Sequence, residues 1–378
     1  MSDWRTPWRA VAAMFILNGA LFGIWASRVP AVAEKFGLSH AALGFLLLTL
    51  AAGAVCSFPI AGKAVDRLGA VRVTRLIAVT YPVTLVALSL APTQITLGAA
   101  LFFFGAAHGA MDVAMNGWGA ETERRLDRRM MSSFHAMWSF GAGLGALSGY
   151  LAVYLGMGLF VHFLISSAAV FAATYYAANI PWESDRAAHR DGSIFAFPTG
   201  TLVLVGIVAF CAALGEGAVA DWSAVYLKNV VQTSESAATL GYTVFSVAMV
   251  IVRLLGDRLV TVTGPVRAAR ISGICAAVGV LIAVLLPSLA AALLGFALMG
   301  IGYAVIMPLA FSRAANDPNL PAGQAISSVA TLGYGGMLIG PAFVGFVAES
   351  TDLQIAFGLL AVLAILIVFA SSSLKHTP

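Results

Sequence analysis

The stretch Gly105-Ala-Ala-His-Gly-Ala-Met-Asp-Val-Ala-Met115 has a counterpart 195 residues on, Gly300-Ile-Gly-Tyr-Ala-Val-Ile-Met-Pro-Leu-Ala310. The text around it repeats at nearly the same distance. Ser132-Ser133 with Gly141 and Gly145 returns as Ser327-Ser328 with Gly336 and Gly340, and Gly69-Ala-Val-Arg72 returns as Gly264-Pro-Val-Arg267, both at 195. Asp66-Arg67 returns as Asp257-Arg258 at 191, and Trp25 as Trp222 at 197. One such match could arise by chance in Gly-rich apolar sequence; five in register mark two halves of common design.

Each half holds six apolar runs close to the ~20 residues that cross a bilayer at ~1.5 Å per residue. The twelve runs fall at 8–27, 41–61, 74–91, 94–117, 132–153, 157–179, 200–220, 236–255, 267–286, 289–312, 324–348 and 352–373. Composition agrees. Hydrophobic residues make up 60% of the chain and charged ones 10%, against about 25% charged in a soluble domain. A soluble globule, a disordered chain and a disulfide scaffold are excluded. Cys56, Cys211 and Cys275 each sit in an apolar run, show no metal-ligand spacing and read as buried thiols. The first run is longer than a signal-peptide core and has no small-residue cleavage site, so it reads as a span.

Matched segments are six spans apart, an even number, so the halves point the same way. That describes a parallel duplication about an axis along the membrane normal. The expected fold is an all-α membrane protein with 12 transmembrane helices in two parallel six-helix repeats. The expected division is an N-terminal bundle at 1–179, a cytoplasmic linker at 180–199 and a C-terminal bundle at 200–378. With the N-terminus inside, 18 of the 21 Lys and Arg fall in inside segments; only Arg28, Lys35 and Lys228 fall outside. This asymmetry predicts a multi-pass membrane protein with both termini cytoplasmic. The net charge of +4 then anchors loops to the bilayer, and no nucleic-acid partner is needed.

An ionisable side chain inside a span costs at least ~2.5–3.5 kcal/mol, so each one needs a use. His108, Asp112 and Asn116, at i, i+4 and i+8, form one polar stripe on the fourth span. A carboxylate beside an imidazole in a partly desolvated cavity can titrate near neutral pH, as proton coupling requires. A structural alternative is a pair between Asp112 and an arginine at the end of the span, such as Arg124. Glu216, between Gly215 and Gly217 in the seventh span, is a second proton-coupling candidate. Its glycines, like Asn18-Gly19 in the first span, predict loosened backbone at a binding site; a gate pair with Arg28 is the other use open to it. Asn18, Trp25, Asn116, Trp138, Tyr303 and Tyr334 are candidate substrate contacts, although Trp and Tyr also anchor spans at the membrane interface. Pro308 is expected to kink the tenth span, and His135 to face the His108–Asp112 stripe. No Lys or Arg reads as lying deep in a span, which disfavours strongly anionic substrates. The Asp66-Arg67 loop reads as part of a cytoplasmic gate. Its carboxylate is placed to meet the positive end of a neighbouring helix dipole, and its arginines to latch acids across the face.

Twelve spans in two parallel halves resemble the major facilitator superfamily over essentially the whole chain. The family's signature after the second span is matched by Gly62-Lys-Ala-Val-Asp66-Arg67-Leu-Gly69-Ala-Val-Arg72, although its usual basic pair is Ala70-Val71 here. A second, degenerate copy is Arg253-Leu-Leu-Gly256-Asp257-Arg258. The gate set is therefore Gly62, Asp66, Arg67, Gly69, Arg72, Asp257 and Arg258. Within the superfamily, the run from Gly105 to Asn116, with Asn18-Gly19 and Trp25-Ala-Ser-Arg28, is similar to a bacterial group of fucose–proton symporters and MosC-type membrane proteins. Fucose-type symporters resemble this chain in carrying an acid on the fourth span. They carry another on the first, where this chain has Asn18.

There is no Gly-rich phosphate loop ending in Lys-Ser/Thr, no Gly-x-Ser-x-Gly elbow and no His-Glu-x-x-His, so neither ATP hydrolysis nor these enzyme classes is indicated. A membrane metalloenzyme on His108, Asp112 and His135 and a non-transporting receptor are remote alternatives. The expectation is a secondary transporter, not an enzyme, needing no cofactor and no metal, acting as a monomer in a lipid bilayer. It would move a small-molecule substrate by alternating access with protons as the coupling ion. The resemblance favours a sugar- or polyol-like solute; efflux of drugs or lipophilic cations is the alternative.

Overall fold

The computed structural model describes residues 6–38, 40–186, 198–233, 237, 240–286 and 288–375. Arg5, Arg190 and the 187–197 part of the expected linker lie outside these residues. Among the described residues each of the twelve expected spans is helical, the tenth as two helices. The first half contains α1 (Pro7–Ser27), a short α2 (Val29–Phe36), α3 (His40–Leu68), α4 (Ala70–Leu90), α5 (Gln94–Leu126), α6 (Met131–Tyr154) and α7 (Leu159–Ala178). The second contains α8 (Thr201–Asn229), α9 (Leu240–Thr263), α10 (Pro265–Leu285), α11 (Leu289–Tyr303), α12 (Ile306–Ala315), α13 (Ala322–Ser350) and α14 (Leu353–Ala370). Among the described residues, eleven helical segments are long and apolar enough to cross a membrane, and α9 has comparable length at 24 residues.

Several helices outrun their apolar cores. Hydropathy stops at the first charges, whereas backbone hydrogen bonding does not, so α3 continues through Lys63, Asp66 and Arg67 and α5 through Glu121 to Arg125. Starts follow local capping. Thr6 accepts from the Arg9 amide ahead of Pro7 at the first turn of α1. Thr93 and Thr96 cap α5 reciprocally, which satisfies otherwise orphaned N–H groups.

The chain forms two compact units. The first comprises 1–130, 134–196 and 320–327; the second comprises 131–133, 197–319 and 328–378. Within the first, α3 and α4 lie along α5, α1 packs on α5 and α7, and α4 packs on α7. Within the second, α9 and α10 lie along α11, α8 packs on α11, α12 and α14, and α10 packs on α14. These are the same pairings under the repeat.

The repeated glycines explain why. A Cβ at Gly105 would overlap the Leu50 carbonyl oxygen, and one at Gly300 would overlap that of Phe245, 195 residues on from Leu50. Without hydrophobic drive between helices in lipid, such backbone-to-backbone approach is a main source of packing energy. Gly69 and Gly264 play a different part. Each precedes a helix at positive φ, 88° and 79°, a region side-chain-bearing residues avoid.

Large apolar side chains face outward, among them Ile95, Val262, Phe346 and Phe369, each more than three-quarters exposed. Such a surface suits acyl chains and not water. Cys211 is buried as expected and Cys275 half-buried, but Cys56 is exposed. It lies one turn from exposed Ile60, on the outer face of α3, where apolar context means lipid contact and not core.

Candidate functional site

In the first unit, α1, α4, α5 and α6 bring a set of polar side chains into an apolar interior. Asp112 is 6% exposed and Asn116 fully buried. The Asn116 amide donates to the Asp112 carboxylate Oδ1 at 3.1 Å and to its backbone carbonyl at 2.8 Å. With that nitrogen committed, Asn116 Oδ1 accepts from His135 Nε2–H at 3.2 Å. His135 thus meets the stripe through Asn116. His108, a turn before Asp112, shares a hydrogen bond of 2.9 Å with the Tyr81 hydroxyl from α4. Phe22 packs between His108 and Trp138, with ring centroids 5.1 and 6.1 Å away. Asn18 is fully buried; its amide reaches Met115 Sδ at 3.6 Å and its Oδ1 has no hydrogen-bond partner among the described residues. Trp25 is buried against Phe104. Arg124 lies twelve residues beyond Asp112 on the same continuous helix, ~18 Å along its axis, and pairs with Asp185 at 3.0 Å. It is not the partner of Asp112.

In the second unit, Glu216 pairs with Arg253 of α9 at 3.5 Å. Arg28, in the first unit, donates from its guanidinium to the Met157 carbonyl at 3.2 Å. Arg253 is buried inside α9, so one arginine does lie within a span, contrary to the expectation that none does. Apolar flanks hid its partner, which only the crossing of α8 and α9 brings near. The loosened backbone expected at Asn18-Gly19 and around Glu216 is absent: α1 and α8 run unbroken through both. Their glycines admit neighbours instead, Gly19 the Trp138 carbonyl and Gly215 the ring of Tyr303. The discontinuity falls in the tenth span, at Ala304-Val305 between α11 and α12. Pro308 causes it by lacking the N–H that would reach Ala304. Arg253 Nε–H donates to the freed Ala304 carbonyl at 3.3 Å. Tyr303, just before the break, is 1% exposed, and its hydroxyl has no hydrogen-bond partner among the described residues. Tyr334 is half-buried on α13.

The paired Asp-Arg sequences divide their labour. Asp66 accepts from the Gly323 and Gln324 amides at 2.8 and 3.1 Å, at the start of α13 and within the first unit. Asp257 accepts from the Ser132 and Ser133 amides at 2.9 and 3.0 Å, and from the Ser133 hydroxyl, at the start of α6 and within the second. Both acceptor–donor sets obey the 191-residue offset. Gly62 allows the approach by lying against the Gly323 carbonyl. Arg67, Arg72 and Arg258 are exposed and form no ion pair among the described residues.

Sequence reading missed one further assembly. Residues after α7 are strapped to the first unit. Arg75 donates to the Ala178 and Ile180 carbonyls at 2.9 and 2.5 Å. Trp182 Nε1–H donates to Glu121 at 3.0 Å, and Asp185 bridges Arg124 and Arg125. The charge cluster at the end of α5 was visible in sequence; what it would hold was not. Among the described residues no group of three or more His, Cys, Asp and Glu is placed to hold a metal.

Twelve helical spans in two like-paired units, with carboxylates buried inside them and a lipid-compatible exterior, define a multi-pass membrane protein of the duplicated transporter class. The chain belongs to the Major Facilitator Superfamily, whose family model matches residues 10–334 and 205–377. It is 49% identical over 372 residues to the "Uncharacterized transporter y4wD" of Sinorhizobium fredii, covering 98% of this chain and 99% of that one. It is 33% identical to the "Membrane protein MosC" of Rhizobium meliloti, over 96% of this chain and 88% of that one. Among solved structures, the E. coli fucose:proton symporter FucP superposes with a TM-score of 0.77 at 17% identity, covering 98% and 99% of the two chains. The expected fold and family are thus established: a transporter of small molecules and not an enzyme.

Proposed function

We propose that the protein is a secondary active transporter that moves a small polar solute, of the sugar or polyol class, by alternating access coupled to protons. The observation that carries this reading is Asp112, a carboxylate nearly sealed inside a 33-residue helix and held by an uncharged amide. Asn116 can serve either protonation state, donating to the carboxylate or accepting from the acid. His108 stands one turn before Asp112 and His135 one hydrogen bond beyond Asn116, second places for the proton. Asn18, Asn116 and Trp138 offer hydrogen-bonding and stacking groups of the kind that polyols use. Sharing a fold with a fucose:proton symporter supports the same reading. On it, Glu216 is a secondary proton site, Tyr303 and Tyr334 line the solute path, and the Asp66 and Asp257 contacts are cytoplasmic gate parts. The protein would sit as a monomer in the bacterial inner membrane, termini inside, as the lysine and arginine distribution favours.

The test is proton flux into proteoliposomes, followed with a pH-sensitive dye while a solute panel is added, for wild type and Asp112→Asn. Flux evoked by a sugar or polyol and abolished in Asp112→Asn supports the proposal. Flux evoked only by lipophilic cations replaces it with efflux. Equal flux in the mutant removes Asp112 from the coupling role.

A further inference from the structure

We infer that the strapped linker completes a binding site for the phosphate of an anionic membrane lipid, independent of the transported solute. Between the start of α4 and residues 182–186 the first unit forms a half-open cleft of about 440 Å³. One water occupies ~30 Å³ in the liquid, so a phosphate with part of its glycerol fits. Arg72, Arg75 and Arg186 line it, with Trp182 and Ser184. The one carboxylate in the lining is Glu183. Two acids stand behind the lining: Asp185 is engaged by Arg124 and Arg125, and Glu121 is buried and accepts from Trp182. Three guanidinium groups therefore face a single counter-charge, which leaves a cationic surplus in a concave site.

The strap fixes this arrangement. Ser184 Oγ accepts from the Val71 amide at 3.0 Å, and its side chain lies against Gly69, where a Cβ would collide with it. Trp182 stacks under Arg125 at 4.3 Å and donates to Glu121. Arg75 is held by two carbonyls. Arginine is the side chain suited to such a site, since its planar fork matches phosphate oxygens two at a time.

The helix below the cleft identifies the source of the phosphate. Arg72 is exposed at the head of α4, and one, two and three turns on stand Leu76, Val79 and Val83, exposed by 62%, 46% and 65%. These positions share one face of the helix. In a spanning helix that face meets acyl chains, so an anion held at Arg72 has hydrocarbon directly beneath it. A free phosphate would have no use for that stripe.

The test is native mass spectrometry of the purified protein titrated with phosphatidylglycerol or phosphatidylcholine, alone and in excess inorganic phosphate. Arg72→Gln and Arg186→Gln serve as site variants. Arg67→Gln makes the same charge change outside the cleft and controls for general electrostatics. Expected are preferential phosphatidylglycerol adducts, weakened about fivefold by each site variant, unchanged in Arg67→Gln and not displaced by phosphate. Equal binding of both lipids, or equal losses in all three variants, would overturn the inference. Displacement by inorganic phosphate at low concentration would also overturn it, by making the ligand a soluble anion.

Discussion

Arg253 donates its Nε–H to the carbonyl of Ala304 at 3.3 Å, the acceptor that Pro308, four residues on, cannot serve. One arginine therefore ties three events together: the break in the tenth span, the half-buried acid Glu216 and the turn of α9 that carries Asp257. Pro308→Ala restores the missing donor and lets the helix close on itself, releasing Arg253 from Ala304. Removing a proline from a helix interior is worth up to ~3 kcal/mol, so the apparent Tm should hold or rise while transport slows. A variant that melts earlier and transports normally would show that the break has no role.

Glu216→Gln leaves Arg253 without its counter-charge, and Arg253→Gln does the reverse. Breaking a buried pair costs ~3–5 kcal/mol. Glu216 keeps 24% of its side-chain exposure, so a loss below that range is expected, about 2–3 kcal/mol. The double variant should be nearer wild type than either single one, because neither charge is then stranded. Thermal melting of all four proteins in one detergent measures this.

Gly105→Ala and Gly300→Ala place a methyl group against the carbonyls of Leu50 and Phe245 and should sharply reduce the folded yield. Gly143 is a built-in control. A Cβ there meets nothing within 4 Å, and Ala is preferred over Gly in helices by ~1 kcal/mol, so Gly143→Ala should be neutral or stabilising. Size-exclusion profiles of the three variants separate the outcomes.

Asp66→Ala and Asp257→Ala each strip two amides of a charged acceptor at a helix start. About 1–2 kcal/mol should be lost at each site, and less with Asn, which keeps one acceptor. If Asp66→Asn and Asp66→Ala melt alike, the charge, and not the cap, is what stabilises.

The strap has its own pH dependence. Burial raises the Asp185 carboxyl, but the hydrogen bonds and charges of Arg124 and Arg125 outweigh it and hold it below the usual carboxylate range. A depressed value means that the contribution is present above the ordinary ~3.9 and is lost as pH falls through the folded value. Burial raises the Glu121 carboxyl that Trp182 also holds, so Trp182 fluorescence is read in the Glu121→Gln background, as that variant minus its Trp182→Phe form; there it should stay flat from pH ~8 to ~5 and change only below ~4. Asp185→Asn should raise trypsin cleavage after Arg186 at neutral pH.

Much of the site was legible because helical spacing is local. His108, Asp112 and Asn116 share a face by arithmetic alone, and the Asp112–Asn116 bond is an i, i+4 contact. The dipole-facing role read for Asp66 needed only the repeat and a neighbouring helix start. Partners contributed by other helices were not legible. Tyr81 beside His108, Arg253 beside Glu216 and Trp182 beside Glu121 are separated from them by 27, 37 and 61 residues. Glycine misled in one respect: Gly19 and Gly215 suggested loosened backbone, whereas their missing side chains make room for Trp138 and Tyr303.

The sequence by itself determined the spans, the duplication and the family, because membrane crossing demands long apolar runs and a repeated fold repeats its small residues at the same contacts. Only the tertiary structure decided which charges meet. Helix packing in lipid is set by shape at a few close approaches, and once Gly105 and Gly300 fix those approaches, distant side chains such as Arg253 and Glu216 are brought within reach with no local signal to announce it.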